Sequence, residues 1–188
     1  MDWAILTYRV PQDPSRHRVA IWRELRRAGA VSLQQATWAL PLHPATDATI
    51  DRVLALVERA EGDALVFTAR PRDQAMAGRI EDSFLEGREA EWHEFVRECE
   101  KFDAEIAHEI ASEKFTPAEL DEEEQNLERL QRWYRELRSR DVLGAPSAPD
   151  AELRLKSSSE RLEGFAQQVF ERGGGAGCGN TRPGSGPW

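Results

Sequence analysis

The apolar positions change rhythm once along this chain, at Pro71. Before it they come in short runs with turn residues between them. Trp3-Ala4-Ile5-Leu6-Thr7-Tyr8-Arg9-Val10 is rich in aromatic and β-branched residues and stops at Pro11, which predicts a buried strand ending in a turn. Asp13-Pro14 supplies an N-cap and a first-turn proline, and Gly29 a left-handed stop, so a helix is predicted from about Pro14 to Ala28. Val31–Gln34 and Ala36–Leu40 follow as extended segments ended by Pro41, either one kinked strand or a very tight hairpin. Thr46 is placed to cap a second helix, with Ile50, Val53, Leu54 and Val57 as its buried stripe and Gly62 at its end. Ala64-Leu65-Val66-Phe67-Thr68, between Asp63 and Arg70-Pro71, reads as another strand.

Beyond Pro71 the period is helical. Met76, Ile80 and Phe84 begin a stripe that Trp92, Phe95, Cys99, Phe102, Ile106 and Ile110 continue, with Gly78 and Gly87 as candidate breaks. Thr116-Pro117-Ala118-Glu119 is a capping box, and Leu120, Leu127, Leu130, Tyr134 and Leu137 give the face of a helix to about Arg140. After a loop at Val142–Pro146, Leu155, Leu162, Phe165 and Val169 mark a last helix. The order strand-helix-strand(s)-helix-strand suits an α+β class: a ferredoxin-like sheet with two helices over residues 1–70, then an antiparallel helical part over 71–172. A Gly-, Pro- and Ser-rich tail, 173–188, is expected to be disordered.

Composition narrows the class. With 40% hydrophobic and 31% charged residues the chain is too apolar for a disordered protein and too interrupted by charge for a membrane span. Cys99 and Cys178 make neither a metal-type spacing nor a plausible pair, and Met1-Asp2-Trp3 does not open a signal peptide, so a reducing, cytoplasmic setting is expected. Only three of the 25 basic residues are lysines, a bias that fits a GC-rich bacterial genome. The net charge of −9 argues against nucleic acid only as an average. The first 40 residues hold six Arg against three acids, a balance of +3, which leaves −12 for the rest.

Much of that local charge sits on the first helix. Arg16, Arg23 and Arg27 share one face with Arg26 beside them, while Ile21, Trp22 and Leu25 fall opposite and are expected to pack on the sheet. Such a row is either a solvated helix face or a comb for DNA phosphates, since guanidinium forks suit oxyanions. Arg18 falls among the apolar residues, where it must snorkel or find an acid, and Arg9 closes the first strand near it. Two partly desolvated guanidinium groups there require either a salt bridge to Asp2, Asp13 or an acid of the helical part, or a small oxyanion pocket. Glu105-x-x-His108 is a single copy of a motif that ligates metal in pairs, and Glu89 and His93 have the wrong spacing, so these read as solvated helix residues. The acids Glu119 and Asp121–Glu124 complement a helix dipole. No P-loop, nucleophile elbow, H-E-x-x-H or dinucleotide motif is present, and neither a metal, a cofactor nor an enzyme activity is expected.

Several ordered segments carry a resemblance. Trp3–Pro11, Pro14-Ser15-Arg16, Trp22-Arg23, Leu33–Pro41, Phe115–Leu120, Leu130-Gln131-Arg132-Trp133 and Arg140–Pro146 resemble the N-terminal domain of the chromate-resistance regulator ChrB, over about Trp3 to Arg172. The front part is more distantly similar to the ferredoxin-like domain of PaaX-type repressors and of the small CRISPR-adaptation nuclease. In that nuclease an Asp follows the aromatic residue ending the first strand; here Tyr8 is followed by Arg9, and a guanidinium cannot hold Mg²⁺. The resemblance implies a transcriptional regulator related to chromate or oxyanion resistance, acting on promoter DNA as a homodimer, with chromate or another oxyanion as a possible ligand and no membrane association. The alternative is a dimerisation and protein-interaction module of the same family. The regulators resembled continue into a second domain where this chain has its Gly-rich tail; if chromate sensing needs that domain, binding of DNA or a partner without sensing is expected.

Overall fold

The structure is a computed structural model and describes residues 1–175. Its elements are β1 (Trp3–Arg9), α1 (Arg16–Arg27), β2 (Val31–Gln34), β3 (Thr37–Pro41), α2 (Pro44–Arg59), β4 (Asp63–Ala69), α3 (Gln74–Ala111), α4 (Pro117–Arg140) and α5 (Ala148–Gly175). The chain divides into two compact units, Met1–His93 with Arg135–Ala148, and Glu94–Tyr134 with the residues from Pro149 onward. These units do not part at Pro71, where the secondary structure changes, because α3 and α4 each contribute to both.

In the first unit the strands lie in the order β2-β3-β1-β4, every pair antiparallel, which with βαββαβ connectivity is the ferredoxin-like arrangement. Central β1 pairs Leu6 with Trp38 of β3 and with Val66 of β4. Alternation along β1 separates two cores. Ala4 and Leu6 join Ile21 and Leu25 of α1, Trp38 and Leu40 of β3, and Ile50, Val53 and Val57 of α2. Trp3, on the opposite face, packs with Val31, Ala39 and Phe84 of α3, edge to face with the Phe84 ring at 6.2 Å.

The segment between Ala30 and Pro41 is a hairpin, with a register shift between Ser32 and Gln34 and Ala36 at φ 60° in its tip. The tip is tied down: the Tyr8 N–H donates to the Ala36 carbonyl at 3.1 Å.

Several sequence-based boundaries move. The N-cap of α1 is Ser15, not Asp13, and it makes no side-chain cap bond. Helix α2 starts two residues before Thr46, with Pro44 in its first turn, and the Thr46 hydroxyl instead accepts from the His43 N–H and donates to the Pro41 and His43 carbonyls. After α2 the left-handed residue is Glu61 (φ 53°), while Gly62 is required because a Cβ there would lie 2.5 Å from the Arg9 carbonyl oxygen. Gly78 and Gly87 do not interrupt α3. The Thr116 half of the capping box forms, the Glu119 N–H donating to Thr116 Oγ1 at 3.2 Å.

In the second unit, Phe95 meets Trp133 and Tyr134, and Glu105 and Glu109 act on Glu123, so α4 runs back against α3. Contacts Glu100–Arg154, Asp103–Ser158 and Glu113–Arg172 run in step, so α5 is parallel to α3. Among the described residues no helix is long and apolar enough to cross a membrane. The first three residues of the expected disordered tail, 173–175, instead close α5, and the rest of that tail, with Cys178, lies outside the described residues.

Candidate functional site

Helix α1 buries a narrow stripe, Ile21 and Leu25, flanked by half-buried His17, Ala20 and Glu24, and leaves its arginines to solvent. Two arginine rows result. Arg16, Arg23 and Arg27 are exposed along one side, and Arg18 and Arg26 are exposed along another with Trp22 between them at four-residue steps. Apolar patterning predicts Trp22 against the sheet and Arg18 among apolar neighbours. Both are instead exposed, Trp22 by 50%, since they lie one step off the buried stripe.

No ion pair among the described residues engages Arg16, Arg18, Arg23, Arg26 or Arg27. Glu24, the one acid of α1, is turned to Arg52 of α2. Its charge is therefore spent on a neighbour, and the helix presents its arginines unneutralised. The rows lead to different places. Arg27 lines a hollow of about 480 Å³ with Thr49, Glu136 and Arg140, and its carbonyl accepts from Arg140 Nη1 at 2.6 Å.

Arg18, Trp22 and Arg26 form one wall of a larger cleft, about 800 Å³, at the end of β1. Tyr8 and Arg9 contribute from β1, and Gln34, Gln35 and Trp38 from the hairpin. Arg9 and Arg18 thus come to one place, as their sequence positions suggested, but neither is desolvated: both are exposed. Among the described residues neither enters an ion pair with Asp2, Asp13 or an acid of the helical part; Asp2 is held by Arg70 through two bonds of 2.7 and 3.1 Å, which keep its carboxyl below the usual range. None of the residues lining the cleft is acidic. The Arg26 guanidinium stands 6.0 Å from the Trp22 ring centre, at the reach of a cation–π contact. Trp38 is 5% exposed, and its indole N–H lies against the Tyr8 phenol. Burial pushes the Tyr8 phenol above its usual range, and the adjacent Trp38 N–H and Arg18 charge oppose that rise.

Sequence reasoning missed Trp22, Gln34, Gln35 and Trp38 as cleft residues. The available signal was the four-residue spacing of Arg18, Trp22 and Arg26. It also missed a buried polar centre in the same unit, where the Asp141 carboxylate accepts from Trp92 Nε1 at 3.0 Å and from the Gly144 and Ala145 N–H groups, locking the Val142–Pro146 loop. The candidate metal motif stays dispersed: His108 lies 3.5 Å from the Ser112 hydroxyl, and among the described residues no three His, Cys, Asp or Glu side chains converge.

No curated protein matches the chain. The family described as Protein ChrB, N-terminal, matches it over residues 18–175, a span that takes in most of α1, the hairpin, α2, β4 and all three long helices. The arrangement of the elements and this match over most of the sequence agree: the chain belongs to the family of ChrB N-terminal domains.

Proposed function

We propose that the chain is a non-enzymatic transcriptional regulator related to chromate or oxyanion resistance, contacting the backbone of promoter DNA as a homodimer through Arg16, Arg23, Arg26 and Arg27. The observation that carries this is the unneutralised arginine surface of α1, with its only acid drawn away by Arg52. Exposed guanidinium groups give up little hydration on meeting a phosphate and bind it in bidentate fashion. Family membership supplies the biological setting.

Fluorescence anisotropy of a labelled promoter duplex, titrated between low and moderate salt, tests the reading. Four phosphate contacts give a slope of log affinity against log salt of about −3.5 per protomer. Absence of binding to any promoter fragment at low salt removes the DNA role.

A second reading, a dimerisation and interaction module without DNA contact, is favoured by one feature: edge strand β4 exposes Leu65, Val66 and Phe67. Replacing Arg16, Arg23 and Arg27 together by Glu separates the two. Loss of repression with the dimer retained supports DNA contact, and unchanged repression supports the module.

A further inference from the structure

The cleft at the end of β1 asks for a ligand of definite chemistry. It offers three guanidinium groups, Arg9, Arg18 and Arg26, and no carboxylate, so its occupant is anionic. It also offers a flat aromatic surface. Trp22 stands half in solvent in the middle of the arginine row, where a residue chosen only for solubility would be polar. Around these lie neutral amide groups, Gln34 and Gln35, and the Tyr8 phenol with the Trp38 indole N–H against it. Finally, about 800 Å³ is the size of a site for an organic molecule and far larger than a tetrahedral oxyanion needs. An oxyanion alone satisfies the arginines and leaves the indole and the amides uncovered.

We infer that this cleft binds a nucleotide, its base stacked on Trp22 and its phosphate held by Arg9 and Arg18. Stacking on an indole tolerates any base, and hydrogen-bonding groups at the far wall sample the base edge. The same chemistry arrives either as a free nucleotide or as an unpaired nucleotide of a single strand. The site is distinct from the duplex-contacting row, with Arg26 alone common to both.

Calorimetry on the full chain uses five kinds of probe: nucleoside 5′-monophosphates, the corresponding nucleosides, inorganic phosphate, chromate, and a short single-stranded oligothymidylate. Binding of at least one monophosphate or of the oligonucleotide is expected, with nucleoside or phosphate alone weaker by roughly 10-fold or more. Trp22→Ala weakens it by roughly 5- to 100-fold, and Arg18→Met by about 10-fold. Both side chains are exposed, so both variants fold, as an unchanged melting curve confirms. Equal affinity for a monophosphate and for the same residue within the oligonucleotide identifies a free nucleotide as the occupant; clear preference for the oligonucleotide identifies a strand. The triple Arg16, Arg23, Arg27→Glu variant keeps nucleotide binding whether or not it loses duplex binding, so the two proposals fail separately. No binding of any nucleotide or oligonucleotide, inorganic phosphate or chromate matching the monophosphate, or full affinity in Trp22→Ala overturns the inference.

Discussion

The Arg88 guanidinium occupies the space that a side chain at Gly29 would need: a Cβ built on Gly29 would lie 1.9 Å from Arg88 Nη1. Gly29 has φ +75°, closes α1 and leads into β2, while Arg88 reaches it from α3 with its side chain almost wholly buried. Its Nε and Nη1 have no hydrogen-bond partners, and the charge is met by Glu91 at 3.2 Å and by the Phe84 ring at 5.3 Å. Desolvation lowers the Arg88 pKa, against the pull of Glu91.

Gly29→Ala carries two penalties, a left-handed backbone worth about 1–2 kcal/mol and the displacement of Arg88. Arg88→Met is expected to cost under about 1 kcal/mol, because Glu91 keeps Arg140 as a second partner at 3.2 Å. The double variant recovers the packing part of the Gly29→Ala loss and not the backbone part. Urea denaturation of the four proteins yields this coupling directly, and strictly additive losses contradict the steric account.

Asp141 holds a loop and an indole together. Asp141→Ala leaves the Trp92 N–H and the loop amides unsatisfied in a buried place, at a cost of roughly 3 kcal/mol. For a chain of this size the melting midpoint falls by about 6–12 °C. A shift below 2 °C by calorimetry, or about that, shows that water replaces the carboxylate at no cost.

Glu123 is buried on α4, and burial raises its pKa above the usual 4.5, with Glu105, Glu122 and Glu109 pushing the same way and Asn126 against. The folded state therefore binds its proton more tightly than the unfolded state does. Its contribution is most favourable below about pH 4.5 and is lost as pH rises through the higher folded value. Glu123→Gln removes this dependence and raises the midpoint at neutral pH. Denaturation at a series of pH values checks both, and a midpoint lowered at neutral pH refutes the assignment.

Cys99 is fully buried, and burial beside Asp103 pushes its thiol up to about 12. In a Cys178→Ser variant, a thiol reagent at pH 8 modifies the chain only after denaturant is added. Modification of the native protein at the rate of a free thiol shows that the second unit opens readily.

What was readable in the residues was whatever depends on near neighbours. The first strand, the left-handed stop at Gly29 and the Thr116 side-chain cap each rest on interactions within a few positions, and each forms. The rotation of α1 was not readable, because apolarity alone groups Trp22 with Ile21 and Leu25; the small sheet beneath covers only a stripe two residues wide. Gly78 and Gly87 looked like breaks, yet each faces open space, and about 1 kcal/mol of lost propensity per glycine is outweighed by the buried stripe they flank. The cleft depends on β1, α1 and the hairpin tip at once. Arg9 and Arg18 were found from chain proximity, whereas the roles of Gln34 and Trp38 needed the hairpin that the sequence left open.

Strand β4 has a bearing on how the protein behaves in the test tube. As a sheet edge it shows a row of free backbone groups, and Leu65, Val66 and Phe67 add apolar side chains on both of its sides. Charges guard only its ends, Asp63 at one and the Asp2–Arg70 pair at the other. Long-range repulsion from the net negative charge keeps such edges apart at neutral pH and vanishes near pH 5.1. The solubility minimum therefore lies there, and the first aggregates grow by adding strands along β4, so that a single lysine at position 65 is the change that keeps concentrated, mildly acidic stocks clear.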